Sequence, residues 1–263
     1  MTVRNVLMNF ANATPDLHVA LLLSGGIDSA SLLFALLESG KQVTCYSFML
    51  DGKMSTDFTL ARRNSREFGA EFIPVFLPRT ISVLQAELVA LARLGAKKKT
   101  DFECGWPMLH AYANVKERVV FSGMGADGHF CLSKKGMLHY KDRIDTFRQM
   151  TFSNPGYAQQ PLHKALATRH GKEAVLPYVS KEMQSVFAGL SWEQVNKPRQ
   201  KQTILDAFPE QYRRIKVLPH TNLQLGDSGI ADHFRKLLSS NWNTGGWKSP
   251  VGIYNAVAAG RLS

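Results

Sequence analysis

Two stretches of this chain set serines, glycines and an aspartate where they can do phosphate chemistry. The first is Ser24-Gly25-Gly26-Ile27-Asp28-Ser29, which follows the apolar run Val19-Ala20-Leu21-Leu22-Leu23 and precedes a helical pattern carrying Leu32, Leu33, Leu36 and Leu37. A strand, a tight glycine turn and a helix start, in that order, aim backbone N–H groups and the hydroxyls of Ser24 and Ser29 at one anion, and the helix dipole favours negative charge there. No Gly-Lys-Ser/Thr follows the glycines, so the loop is not a Walker A. Asp28 stands where that motif has its lysine, and a carboxylate beside phosphates implies a bridging Mg²⁺. The second stretch repeats the device, with Val119-Val120-Phe121 running into Ser122-Gly123-Met124-Gly125-Ala126-Asp127. Ligands of open α/β sheets bind at the carboxyl ends of strands, which predicts that Asp28 and Asp127 hold one Mg²⁺ between them.

Such loops need a sheet to carry them. Residues 42–50, rich in β-branched and aromatic side chains, and residues 71–77 read as further strands, with Pro74 sending the latter to an edge. Helical patterns over 57–68 and 81–94 alternate with them, 97–102 reads as a basic loop, 107–116 as a helix, and 118–121 as the strand feeding the second loop. This alternation predicts an α/β fold with a parallel, doubly wound sheet. A short amphipathic helix over 3–11 precedes it. From about residue 150 the β-type runs stop, and 162–170, 180–190, 200–207 and 229–238 read as helices. The expected organisation is an α/β nucleotide-binding domain over residues 1–150 and a mainly helical region over 151–263 that completes the site.

With 263 residues, 44% of them hydrophobic and 20% charged, the chain can bury a sizeable core. No apolar run is long enough to span a membrane, and the first fourteen residues lack a secretory signal, so a cytoplasmic protein with no membrane partner is expected. Cys45, Cys104 and Cys131 are scattered and unpaired in sequence, which argues against a disulfide framework or a thiolate zinc site. The net charge of +11 suits either nucleic acid or a phosphate-rich small molecule as partner. Nothing in the sequence sets an oligomeric state.

Residues 24–29 match at every fixed position the Ser-Gly-Gly-x-Asp-Ser signature of the PP-loop ATP pyrophosphatases, which cleave ATP between the α and β phosphates. The second loop resembles the second motif of the synthetase domain of asparagine synthetases and of their relative β-lactam synthetase. The likeness runs from about residue 19 to 229. Asp101 and Trp106-Pro107-Met108 resemble the stretch ahead of that motif, and residues 57–67 its Asp-containing helix. Residues 173–180, Glu-Ala-Val-Leu-Pro-Tyr-Val-Ser, are similar to Glu-Val-Arg-x-Pro-Phe-Leu-Asp. Lys201 with Ile204, Leu205 and Ala207, then Arg214-Ile215-Lys216, resemble its lysine-bearing segments. The resemblance implies ATP and Mg²⁺ as cofactors. It makes Ser24, Gly25, Gly26, Asp28 and Ser29 the pyrophosphate cradle and Asp127 a metal ligand. Leu22, Leu23, Phe48, Ser122 and Gly123 would frame the adenosine, Lys201 and Lys216 would offset charge on the leaving group, and Glu173 could serve as a base.

Departures from the family are informative. Thr2 stands where glutamine-using members carry a cysteine, and no glutaminase domain is expected. Met124 replaces the acid–base residue of the second motif, Gly128 an acidic residue, Val175 the arginine and Ser180 the final aspartate of the later segment. Nucleotide chemistry looks retained and acceptor chemistry altered. The expected function is an AMP- and pyrophosphate-forming ligase that adenylates a carboxylate or amide oxygen of a small-molecule acceptor for attack by an amine or ammonia. One alternative is a PP-loop enzyme modifying tRNA or another nucleic acid, with Lys97-Lys98-Lys99, Lys134-Lys135, residues 197–201 and Arg213-Arg214 as a phosphate-tracking face. Another is a non-catalytic nucleotide-binding protein.

Overall fold

The apolar runs read from the sequence pair into one parallel sheet in the computed structural model, which describes residues 1–218 and 226–263. Residues 219–225 and the side chain of Lys135 lie outside the described residues. The strands are β1 (His18–Leu22), β2 (Gln42–Leu50), β3 (Glu71–Leu77), β4 (Val119–Ser122) and β5 (Glu173–Val175), in the order β3-β2-β1-β4-β5, all parallel. β1 and β4 are apolar on both faces because both faces are covered. Pro74 lies on β3 at the sheet edge, where its missing N–H costs no ladder bond.

The helices wind on both sides, as a doubly wound sheet requires. One layer holds α1 (Val3–Ala13), α2 (Ile27–Glu38) and α3 (Thr56–Glu67); the other holds α4 (Ile81–Arg93) and α5 (Lys99–Asn114). Side chains of β1 alternate between them. Val19 and Leu21 pack with Leu32, Leu33 and Phe34 of α2, whereas Ala20 packs with Leu88 and Trp106 of the opposite layer. The later chain supplies α6 (Lys134–Tyr140), α7 (Ile144–Phe152), α8 (Gln160–Arg169), α9 (Lys181–Phe187), α10 (Trp192–Asn196), α11 (Gln202–Leu205), α12 (Pro209–Arg214), α13 (Ile230–Arg235) and α14 (Pro250–Ala258). Among the described residues no helix is long and apolar enough to cross a membrane, and none of the three cysteines forms a disulfide.

Three details differ from the sequence reading. The sheet is not confined to residues 1–150, because β5 adds a fifth strand beside β4; its three residues are too few for periodicity to show. The basic loop over 97–102 is instead the start of α5, where Asp101 Oδ2 accepts the N–H groups of Lys97 and Lys98, both at 3.0 Å, and so caps the first turn. The helix expected over 200–207 shortens to the single turn of α11.

Candidate nucleotide-binding and active site

Strand order reverses between β1 and β4, so the loops leaving these neighbours open a crevice at their carboxyl ends. Leu22 and Ser122 stand opposite one another in the register, and both loops therefore start at the same level. The second loop then lies directly against the head of α2. A Cβ on Gly123 would stand 3.0 Å from the backbone carbon of Asp28 and from the Ser29 nitrogen, so any side chain there would lift the loop away.

The first loop satisfies its own polar groups before any ligand arrives. Ser24 N–H donates to Ser29 Oγ at 3.0 Å, the two serine hydroxyls are 2.9 Å apart, and Gly26 N–H donates to Ser24 Oγ at 3.2 Å. The flanks are held as well, since Gly25 N–H donates to Asp57 Oδ1 of α3 at 2.9 Å and Leu218 N–H donates to Gly25 O at 2.8 Å. Burial raises the Asp57 pKa; the Gly25 N–H opposes this and the Asp227 charge adds to it. No side chain caps α2, which presents its positive dipole end to the crevice.

The two aspartates meet on one cation. Lys201 Nζ is 2.5 Å from Asp28 Oδ2 and 2.6 Å from Asp127 Oδ1, and the lysine side chain is only 5% exposed. Burial alone would lower its pKa, but the Asp28 and Asp127 carboxylates overcome that and raise it. Lys201 takes a left-handed backbone (φ 61°) at the head of α11. Its N–H donates to Asn196 Oδ1 at 3.2 Å, and Asn196 Nδ2 donates to Phe130 O at 3.0 Å. The lysine is thereby tied to the segment that carries Asp127.

Carboxylate oxygens from two loops converging on one positive charge form a donor set that fits Mg²⁺. That ion takes one or two carboxylates and completes its shell with water and phosphate oxygens. Among the described residues no group of three or more His, Cys, Asp or Glu side chains could hold a metal by itself.

The other expected residues divide. Leu22 and Phe48 are half-buried against the core layer of α4 and α5, Leu23 is buried on the opposite face with α2, and Ser122 is buried beside Gly123. Lys216 is exposed, with its carbonyl accepting from Asn64 Nδ2 at 3.0 Å, two residues ahead of the Leu218 bond to the loop. Glu173 is a correction. It opens β5 opposite Val119, the first residue of β4, and so lies at the amino edge of the sheet, away from both loops. There Arg118 Nη1 donates to it at 2.9 Å while also pairing with Asp16. A surface ion pair at the far edge cannot act as base on a substrate in the crevice.

Four aromatic groups outside the expected set shape the site. Tyr212 Oη donates to Ile27 O at 2.7 Å, and Tyr178 Oη lies 2.7 Å from Ser31 Oγ, which donates to Asp28 O at 2.7 Å; together they grip the first turn of α2. His129, just past Asp127, stacks between Phe152 and Phe187 with Nε2 2.7 Å from Tyr178 O, and burial lowers its pKa to about 3. Tyr157 Oη donates to Gly125 O at 3.1 Å; burial first, then the Asp127 charge, raises its pKa. Tyr157 also explains Gly128, where a Cβ would fall 2.7 Å from this hydroxyl oxygen and 2.8 Å from Phe152 Cζ. The space that an acidic side chain would need there is filled. Tyr178 falls within the 173–180 segment, where the resemblance gave it no role, and nothing in the sequence marks Tyr157.

A parallel sheet with a Ser-Gly-Gly-x-Asp-Ser loop at its switch point and a second aspartate facing it is a nucleotide-binding protein of the PP-loop class. The asparagine synthase family model matches residues 11–227, and the chain belongs to that family. A segment of 74 residues is 31% identical to the microcin J25-processing protein McjC of Escherichia coli; it makes up 28% of this chain and spans 14% of that relative's length. Among solved structures, NMN synthetase from Francisella tularensis aligns over 84% of this chain and 97% of its own, at 16% identity and a TM-score of 0.37. The predicted subunit of tRNA methyltransferase from Methanocaldococcus jannaschii aligns over 79% and 99%, at 14% identity and a TM-score of 0.38.

Proposed function

We propose that the chain is an ATP-dependent ligase that forms AMP and pyrophosphate, adenylating a carboxylate or amide oxygen of a small-molecule acceptor for attack by an amine or ammonia. Membership of the asparagine synthase family supports an ATP-using, adenylating enzyme. The observation that carries the reading is the convergence of Asp28 and Asp127, from two separate strand ends, on buried Lys201 at the head of α2.

In this reading the loop of Ser24 to Ser29 and the α2 dipole hold the departing pyrophosphate. Asp28 and Asp127 would hold Mg²⁺, which neutralises phosphate charge when bound. Lys201 keeps the two carboxylates paired at the loop and sets a fixed positive charge beside the phosphates, where charge grows as the bond to the α-phosphorus breaks. The acceptor oxygen forms a bond to that phosphorus as the bridging oxygen leaves with pyrophosphate. Lys216, on the segment bonded to Gly25, adds a second cation from the solvent side. Tyr157 and Tyr178 exclude water and fix the two loops, and neither phenol serves as a base because burial holds both protonated.

The nucleotide product tests the reading. Labelled ATP turned over with a pool of candidate acids and amines should give AMP and pyrophosphate, and ADP as the main product would overturn the assignment.

A further inference from the structure

Beside Asp127, on the side away from the nucleotide loop, the surface opens into a cleft of about 560 Å³. Its floor is Asp127 and Gly128, and its walls come from the segments before and within α6 and α7: Leu132, Tyr140, Phe147 and Met150, with Tyr157 closing the inner end. Ser133, Thr151 and Asn154 contribute uncharged polar atoms at its margin, and no Lys, Arg or His lines it among the described residues. Met150 is 56% exposed, so the apolar wall continues to the mouth. Lys201 pairs with Asp127 at the floor of the cleft.

Resting on the adenylation reading, we propose that this cleft binds the apolar side group of the acceptor, and that the acceptor is a carboxylic acid carrying a large aryl or branched-alkyl group. A small polar amino acid such as aspartate is not its ligand. An acceptor must bring its reacting oxygen to the crevice where Asp28, Asp127 and Lys201 meet, and the rest of the molecule has to extend away from the nucleotide. The cleft is the space that continues from Asp127 in that sense. Its volume falls within the range of about 300–1,000 Å³ usual for small-molecule sites, more than a methyl or carboxymethyl group can fill. A second carboxylate there would meet aromatic rings, a thioether and the Asp127 carboxylate, with no cation among the described lining residues, which disfavours it. An apolar group is favoured by the area it removes from water. An apolar end against Phe147 and Met150 is the complement of this surface.

The test measures binding before chemistry. With the protein saturated by Mg²⁺ and a non-hydrolysable α,β-methylene analogue of ATP, 3-phenylpropanoate should bind about ten-fold or more tightly than aspartate. Met150→Glu should weaken 3-phenylpropanoate about five-fold or more with little change in Tm, since Met150 stands at the exposed mouth. Aspartate binding as well as the aryl acid, or Met150→Glu leaving the aryl acid unaffected, would overturn the proposal. The same acids are then assayed for pyrophosphate exchange into ATP. Binding of 3-phenylpropanoate without exchange would overturn the adenylation reading and leave the apolar site standing. Exchange driven by aspartate without aryl-acid binding would keep adenylation and discard the site.

Discussion

Lys201→Met tests the centre of the site, because it removes a buried cation on which Asp28 and Asp127 converge. Both contacts are short, at 2.5 and 2.6 Å, and the lysine is buried, so its loss leaves two carboxylates facing each other across an apolar side chain. Deleting one partner of a fully buried pair costs about 3–5 kcal/mol. Asp28 is 20% exposed and Asp127 48%, and water screening at Asp127 discounts that figure to about 2–3 kcal/mol. For a chain of this size that is a fall in Tm of roughly 4–10 °C. Millimolar Mg²⁺ should raise Tm more in the variant than in the wild type, since the ion offsets the repulsion that the lysine no longer relieves. In the wild type the Lys201 pKa is raised, so its contribution is fully present below the unfolded value of 10.5 and is lost only as pH rises through the higher folded value. Scanning calorimetry across pH, with and without Mg²⁺, reads all of this. A Lys201→Met protein as stable as wild type at pH 7 and indifferent to Mg²⁺ would refute the reasoning.

Lys216→Met should leave Tm unchanged, because the side chain is exposed, yet cost about 2–4 kcal/mol in kcat as one preorganised cation is lost; unchanged pyrophosphate release would remove it from the mechanism. Gly128→Glu should destabilise by about 1–3 kcal/mol through the clash with Tyr157 and Phe152, and Tyr157→Ala in the same chain should recover part of it in urea titrations. Stability should fall as pH drops from about 6.5 toward 4. His129, His163 and His233 are buried, with pKa values lowered to about 3, 4 and 4 from 6.5, so the unfolded chain takes up protons that the folded chain refuses. Urea midpoints at pH 7 and 4.5 measure the effect, and His129→Phe should flatten the slope; an unchanged slope would place the acid lability elsewhere.

Most of the fold is written in short-range pattern. The bounds of β2 and β3 follow directly from β-branched and aromatic runs closed by glycine and proline, and the edge position of β3 follows from Pro74 alone. What stayed hidden has particular causes. Three consecutive lysines read as a solvated basic loop, whereas the start of α5 is set by a single Asp101 carboxylate that accepts from the Lys97 and Lys98 amides. β5 is three residues long and owes its existence to the neighbouring β4 edge. Glu173 was placed by likeness to a motif, and the register alone sets it at the amino edge, where Arg118 claims it.

The site divides along the same physical line. Asp28, Asp127 and the serines sit in contiguous motifs whose geometry is local, a strand turning into a helix, so the residue types are enough to foresee an anion cradle. Lys201 reaches them from 173 positions away along the chain in the case of Asp28, and its role depends on Asn196 and Phe130 holding a left-handed turn that no local pattern encodes. The acceptor side is less legible still. Its walls come from α6 and α7, short helices absent from the sequence reading, and its floor is decided by Tyr157 and Phe152 packing over Gly128. Gly128 and Met124 read in isolation as lost chemistry. With the Tyr157 and Phe152 ring ends close above Gly128, a side chain there would have to displace them, and the walls of the adjoining cleft are mostly apolar. On the proposed reading the change is one of acceptor shape and polarity, and Asp28, Asp127 and Lys201 serve the nucleotide side.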